Sequence, residues 1–349
     1  MRRSTTESRV VTYAGIDYHK KFSMVSLGDE NGKVISIHRV TNDEQEIREF
    51  FSPFPALKCV IESCRGYEWF VDLLKEIGLD VQLCNAHEVK LIAHSRCKTD
   101  KVDSRILMEL LAIDFLPVCY QPTAEQRALR ERLRWRCHLV RNTTRLKLRV
   151  HALLDKENIG LKVGPKVSSA VGRELLRQTK LRSPGRQELL EKHLALLDHL
   201  DQTINAEDAW IKKAAKANAD AQLLMTIPGI GAFSALFLIA ELGDVTRFKR
   251  SAQIVNFAGL APRVDQSGDV RRTGSITKAG SSLLRWILVQ DAWQALRCYE
   301  FRCHFASVSK RCGRHGAIVS VARKLLEVVY RVLRDKKPFD ANLLGAKHA

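Results

Sequence analysis

Tyr13-Ala-Gly-Ile-Asp-Tyr-His-Lys20, with Phe22-Ser-Met-Val-Ser-Leu27, Gly28-Asp-Glu-Asn-Gly-Lys33 and Val34-Ile-Ser-Ile-His-Arg39 behind it, decides the fold of the first third of the chain. Residues 10–17 and 22–27 are rich in the β-branched, aromatic and small apolar residues of buried strands, and 34–39 alternates as a third strand does. Asn31-Gly32 tolerates the positive φ of a tight hairpin turn, so 28–33 is predicted to connect the second strand to the third. Asn42-Asp-Glu-Gln-Glu46 then offers a side-chain cap and first-turn acids to a helix. Further on, 57–61 is a short apolar run ending in Glu62, 67–77 is helical, 81–84 is a strand and 100–113 is helical again.

The order is hairpin, third strand, helix, strand, helix, strand, helix. It matches an RNase H-like topology, in which a three-stranded antiparallel unit is extended by parallel strands, and the first third is α/β. From Pro122 to about Ala217 strand signals nearly vanish. Leu129, Leu133, Leu139, Leu146, Leu148, Leu153 and Leu154 support one long helix. Leu189, Leu190, Leu194, Leu196, Leu197 and Leu200 support a second, after a break at Ser183-Pro-Gly185. The pair reads either as an antiparallel hairpin or as an oligomerising coiled coil. A mainly helical third region begins near Leu223, is interrupted by a turn-rich loop from Pro262 to Gly280, and carries apolar runs at 283–289 and 318–332. The predicted domains are 1–118, 119–218 and 219–349.

Charge supplies the first functional clue. Among 349 residues, 57 Lys and Arg face 39 Asp and Glu, a formal net charge of +18, which favours a polyanionic partner through counterion release. A hydrophobic content of 45% excludes a disordered chain. No apolar run approaches the ~18 residues of a membrane span, and no basic amphipathic anchor or lipidation signal is present. The polar start Met1-Arg-Arg-Ser-Thr-Thr-Glu-Ser8 predicts no secretory signal. Nine scattered cysteines, an odd number, read as reduced thiols of a cytoplasmic protein. Nucleic acid is the expected partner, and a nucleoid-associated location follows.

Four carboxylates stand out. Asp17 ends the first strand and Glu62 the fourth, and these ends are neighbours in the predicted topology. Asp100 and Asp103, in Lys98-Thr-Asp-Lys-Val-Asp-Ser-Arg105, share one face of a helix that can cross the same sheet edge. Converging carboxylates are costly without a cation between them. Hard oxygen donors suit Mg²⁺, and two such ions can clamp the attacking and leaving oxygens of a phosphodiester. Taken singly, each acid is an ordinary strand-end or cap residue, and Asp100 could simply cap its helix. His19 beside Asp17 reads as a solvent-facing strand-end residue able to tune a metal site.

Leu223-Leu-Met-Thr-Ile-Pro-Gly-Ile-Gly-Ala-Phe-Ser-Ala-Leu236 has the pattern of a helix-hairpin-helix, in which Gly229 and Gly231 allow a tight turn whose free amides can receive a DNA phosphate. The same pattern serves a plain helix–helix turn. In the 259–280 segment Ser267 precedes a glycine among Arg263, Arg271, Arg272 and Lys278. Flanking cations would stabilise developing charge if its hydroxyl were activated as a nucleophile. A Ser-Gly pair is also an ordinary turn, and Ser275, Ser281 and Ser282 are rivals. Between Arg127 and Arg149 lie nine basic residues and one acid, Glu131; Arg134, Arg141, Arg145 and Lys147 are candidate phosphate contacts. Cys298, Cys303, His304, Cys312 and His315 lack the spacing of a common zinc site. Trp135, Trp210, Trp286 and Trp293 read as helix-packing residues.

Gly15-Ile-Asp-Tyr-His-Lys20, Ile61-Glu-Ser63, Lys98-Thr-Asp-Lys-Val-Asp103, Ile227-Pro-Gly-Ile-Gly231 and the Gly259-Leu-Ala-Pro, Gln266-Ser-Gly, Thr277-Lys-Ala-Gly and Leu284-Arg285 segments occur in this order. In this the chain resembles the DEDD transposases of the IS110 and IS1111 insertion-sequence family. The resemblance implies a RuvC-like first domain, a coiled-coil middle and a C-terminal transposase domain. It places a metal-binding tetrad on Asp17, Glu62, Asp100 and Asp103 and the nucleophile on Ser267. It further implies double-stranded DNA as substrate (element ends and target), guidance by an element-encoded noncoding RNA, and dimers pairing into tetramers. Ser63-Cys-Arg-Gly66 departs from the small-residue stretch usual after the glutamate. Two other readings use the same residues. One is a RuvC-like metal-dependent nuclease whose serine segment only binds DNA; the other is a non-catalytic nucleic-acid-binding protein built on the basic helix.

Overall fold

A computed structural model describes residues 11–92, 99–159, 166–267 and 270–341. The chain divides into two compact units, Met1–Pro122 and Thr123–Ala349.

The first unit runs β1 (Val11–Tyr18), β2 (Phe22–Asp29), β3 (Val34–Thr41), α1 (Glu44–Phe51), β4 (Lys58–Glu62), α2 (Glu68–Glu76), β5 (Asp80–Cys84), α3 (Ala86–Ile92) and α4 (Asp100–Ala112). Its sheet has the order β3-β2-β1-β4-β5. The first three strands are antiparallel, and β4 and β5 extend them in parallel. The 28–33 turn closes as the sequence predicts, with Gly32 at φ 73° and the Asp29 carboxylate accepting from the Asn31 and Lys33 amides.

Strand periodicity sorts the two faces of this sheet. Ala14, Ile16, Cys59 and Ile61 pack with Ile47 and Phe51 of α1 and Phe70 and Leu74 of α2. Val60, of opposite parity, packs with Leu107, Leu110 and Leu111 of α4. Gly15 shares that parity, and a Cβ there would stand 2.1 Å from the Ser104 carbonyl oxygen and 2.4 Å from the Met108 amide. The missing side chain is therefore what lets α4 lie against β1. The buried Ser26 and Ser104 hydroxyls, 2.8 Å apart, join the same helix to β2.

The second unit comprises α5 (Ala124–Lys156), α6 (Ala170–Arg177), α7 (Pro184–Ala217), α8 (Ala219–Met225), α9 (Ala232–Leu242), α10 (Ser251–Phe257), a hairpin of β6 (Pro262–Ser267) and β7 (Val270–Ile276), α11 (Ser282–Ala295) and α12 (Tyr299–Asp335). Thr123 and Gln126 form a capping box at the start of α5, and Pro184 opens α7 at a first-turn position that needs no N–H donor. The ion pairs Arg136–Asp208, Arg132–Glu207 and Arg186–Glu157 set α5 and α7 antiparallel within one chain. Leu139, Leu146, Val150 and Leu154 meet Leu190, Leu194, Leu197 and Leu200 in a core of their own. Leu133, Ile211 and Ala215, at the other end of the pair, join the larger core formed with α8 to α12.

One expectation changes. The 262–280 segment, expected as a loop, contains a β-hairpin paired from Pro262↔Ile276 to Ser267↔Val270. Lys278 at φ 59° and Gly280 at φ 69° end it against α10.

The turn between α8 and α9 docks on α11. Gly229, at φ 94°, lies where a Cβ would meet the Asp291 carbonyl oxygen at 2.5 Å and the Ala295 amide at 2.7 Å. The Ser234 hydroxyl donates to Asp291 Oδ1 at 2.6 Å, while Oδ2 is buried without a partner. Burial pushes the Asp291 carboxyl up to about 7, with the Ser234 bond opposing. An unfolded aspartate releases its proton near 3.8. The folded state therefore holds the extra proton between these values, and stability falls as pH rises through that window. Asp291→Asn is expected to flatten this slope in thermal melts between about pH 4 and pH 7 and to raise the melting temperature at pH 8, an effect on the order of 1–3 kcal/mol. An unchanged slope would contradict this account.

Candidate metal centre and serine hairpin

Asp17 follows Gly15 by two residues and so points to the α4 face of the sheet. Ile16 pairs with Ile61, which sets Glu62 beside Asp17 on the neighbouring parallel strand, and Glu62 shares the parity of Val60. Both acids raise the Cys64 thiol, a shift whose larger cause is burial. Asp100 and Asp103 come from the first turn of α4, where the helix dipole favours negative charge. Thr99, not Asp100, caps this helix by accepting from the Val102 amide. The Asp100 carboxylate is thereby left for other contacts.

His19 lies between the strand and the helix. Its Nε2 stands 3.2 Å from Asp17 Oδ2 and 3.2 Å from Asp100 Oδ2. Asp17, His19 and Asp100 offer ligand atoms all within 4.8 Å of one another, the one such group among the described residues. Burial holds the Asp17 carboxyl above its ordinary range; His19 opposes the shift, and Asp103 and Asp100 add to it by repulsion. Nε2 is itself buried and makes no well-aligned hydrogen bond. Acids that repel one another around a poorly satisfied imidazole fit a divalent cation, which would offset the repulsion. His19 follows the last residue of β1 with its side chain 37% exposed, as expected of a strand-end residue, and its ring nitrogen also faces two carboxylates.

Ser267 is the last residue of β6 and is exposed. Arg263, Arg272, Lys278 and Ser275 are also exposed around this hairpin, whereas the side chain of Arg271 and residues 268–269 lie outside the described residues. Arg285 of α11 fixes the hairpin's root, where its Nη1 donates to the carbonyls of Ala279 (2.6 Å), Gly280 (3.2 Å) and Ala258 (3.3 Å). Gly259 fits under the same root, as a Cβ there would stand 2.2 Å from the Ala279 carbonyl oxygen.

The basic run of α5 splits in two. Arg134 binds the buried Glu241 at 2.6 Å, Arg130 donates to the Ala240 and Glu241 carbonyls, and Arg132 and Arg136 pair with Glu207 and Asp208. Arg141 and Arg145 are exposed, Lys147 is half-buried, and these three make no ion pair among the described residues. Gly231 is exposed at the start of α9 with open space around it, while Gly229 is packed on α11. Trp210 and Trp293 pack on the core as expected, but Trp135 and Trp286 are 50% and 51% exposed. His304 bonds Ser320, and no Cys/His cluster with metal-ligand geometry occurs among the described residues. Lys98, part of the sequence pattern before Asp100, lies outside them. No helix among the described residues is long and apolar enough to cross a membrane.

The chain is similar to known proteins along both units. A family model of DEDD transposases of the IS110 type, described as Transposase, matches residues 14–159, and that of the Transposase IS116/IS110/IS902 family matches residues 221–305. The transposase for insertion sequence element IS1111A of Coxiella burnetii is 28% identical over 356 residues, covering 97% of this chain and 93% of that protein. The transposase for insertion sequence element IS1328 of Yersinia enterocolitica is 25% identical, covering 92% and 96%. The pilin gene-inverting protein of Moraxella bovis is 34% identical over 132 residues, 36% of this chain and 40% of that protein. Matched in sequence order by both models, and nearly end to end by the insertion-sequence relatives, the chain belongs to the IS110-type family of DEDD transposases.

Proposed function

We propose that this chain is a DNA recombinase of an insertion sequence, cutting and rejoining strands with a carboxylate-held divalent metal and the Ser267 hydroxyl. The observation that carries the reading is the placement of Asp17 and Glu62 at adjacent strand ends on the face that receives the first turn of α4, with its Asp100 and Asp103. Asp17, Glu62, Asp100 and Asp103 would hold the metal, and Mg²⁺ would suit their oxygen donors. Bound there, as one ion or two, it supplies positive charge to the attacking and leaving oxygens of a phosphodiester. Ser267 Oγ forms a bond to phosphorus as the bond to a deoxyribose oxygen breaks. The hydroxyl proton passes to a base, and the leaving oxygen takes one up. The phosphoserine conserves the bond until a second deoxyribose hydroxyl displaces the serine. Arg263, Arg271, Arg272 and Lys278 stabilise the charge on the phosphate, while Arg141, Arg145, Lys147 and the amides near Gly231 hold backbone phosphates.

In this reading the first unit is an RNase H-like, RuvC-like domain, supported by its strand order and by the model matching residues 14–159. The α8–α9 pair acts as a helix-hairpin-helix, and the α5–α7 pair serves as the coiled-coil region through which dimers and tetramers form. Guidance by a structured RNA belongs to the same reading.

Metal removal tests it. Chelation should abolish cleavage of DNA carrying the element's ends, and Mg²⁺ should restore it. Asp17→Asn should lower the rate by about 10³-fold or more while preserving DNA binding. Cleavage that survives chelation would end the metal reading. Metal-dependent cleavage that yields only hydrolysed ends would favour the nuclease.

A further inference from the structure

α5 and α11 enclose a cavity of about 310 Å³, lined by Cys137, Val140, Arg141, Thr144 and Arg145 on one side and Trp286 on the other. Trp286 falls off the buried stripe of its helix, since Leu284, Ile287 and Leu288 are inside and the indole is 51% exposed. Arg141 and Arg145 stand one turn apart on one face of α5. The four arginines before them, Arg130 to Arg136, are bound to acceptors inside the unit, and Arg136 at the cavity's edge is held by Asp208. Two unpaired guanidinium groups thus flank an uncovered aromatic face over an apolar floor. Burial raises the Cys137 thiol, which keeps that floor neutral.

A flat ligand with an apolar face and a negative charge satisfies all of these groups together. A nucleotide has that form, and the cavity has room for one. Bases inside a duplex are already stacked, so the strand must be locally unpaired. We propose that the α5–α11 cavity binds one unpaired nucleotide of the DNA substrate, its base stacked on Trp286 and its phosphate held by Arg141 and Arg145. This rests on DNA being the substrate, but neither on the carboxylates nor on Ser267.

The test measures binding of the full chain, without divalent metal, to a fluorescent single-stranded oligothymidylate and to a blunt duplex of equal length. Trp286→Ala is expected to weaken single-strand binding about tenfold and leave the duplex unchanged, and Trp286→Phe to stay within about threefold of wild type. Arg141→Gln with Arg145→Gln should weaken single-strand binding about tenfold and lower the slope of log K against log salt by about 1.4. Equal losses on single strand and duplex from Trp286→Ala, or no loss from it, would overturn the proposal. So would a Trp286 effect confined to oligouridylate, which would assign the cavity to RNA. Should Trp286→Ala melt early, Trp286→Leu, which keeps the site filled without an aromatic face, takes its place with the same expected loss of about tenfold on single strand alone. Wild-type protein that binds the duplex but no single strand removes the cavity reading alone; protein that binds neither removes the DNA reading with it.

Discussion

Ser267→Ala is expected to leave no protein-linked DNA and to reduce recombination to background, at least about 10³-fold, with DNA binding within about twofold of wild type. The size of the effect follows from the role, since without the hydroxyl no bond to phosphorus can form and no bond energy is stored for rejoining. The substitution is mild for the fold, because Ser267 is exposed at the end of β6. Its nearest rivals differ in availability. Ser281 already accepts from the Leu284 amide as the cap of α11, so Ser281→Ala should cost about 1 kcal/mol of stability and leave the adduct intact. Denaturing gels of labelled DNA read the result directly. An adduct that persists in Ser267→Ala and disappears in Ser275→Ala or Ser282→Ala would transfer the role to that residue.

Gly15→Ala should be the most damaging single methyl group in the first unit. The new Cβ would meet the Ser104 carbonyl oxygen and the Met108 amide, both backbone atoms that cannot rotate aside. α4 must then lift from β1, breaking the buried Ser26–Ser104 contact and carrying Asp100 and Asp103 away from Asp17. A loss on the order of 3 kcal/mol is expected in thermal or denaturant melts, together with loss of metal binding in a calorimetric titration. Gly231→Ala, with open space around it, should shift the melt by less than about 1 kcal/mol. Equal effects at the two glycines would mean that the approach of α4 to β1 is not what holds the site together.

The strands, the 28–33 turn and the cap-and-acid start of α1 were legible because each rests on local chemistry. The convergence of Asp17 and Glu62 was legible because strand order follows from element order. The hairpin at β6–β7 was not. Of its described side chains only Ile276 packs on the core, so no buried face imposes an alternating pattern, and Gly, Ser and Arg mimic a loop. The ion pair of Arg134 was not legible for a different reason: its partner Glu241 lies 107 residues away in sequence. Trp286 could have been placed, because it falls out of phase with the stripe Leu284, Ile287, Leu288 and Asp291.

The three-carbonyl grip of Arg285, with Gly259 seated beneath it, mortises the β6–β7 arm into its unit at the base. An arm fixed in this way does not pivot on its own stem. A change in the arm's direction must therefore be shared by α10 and α11, and a substitution at Arg285 should disturb it more than one at an exposed strand residue such as Arg272.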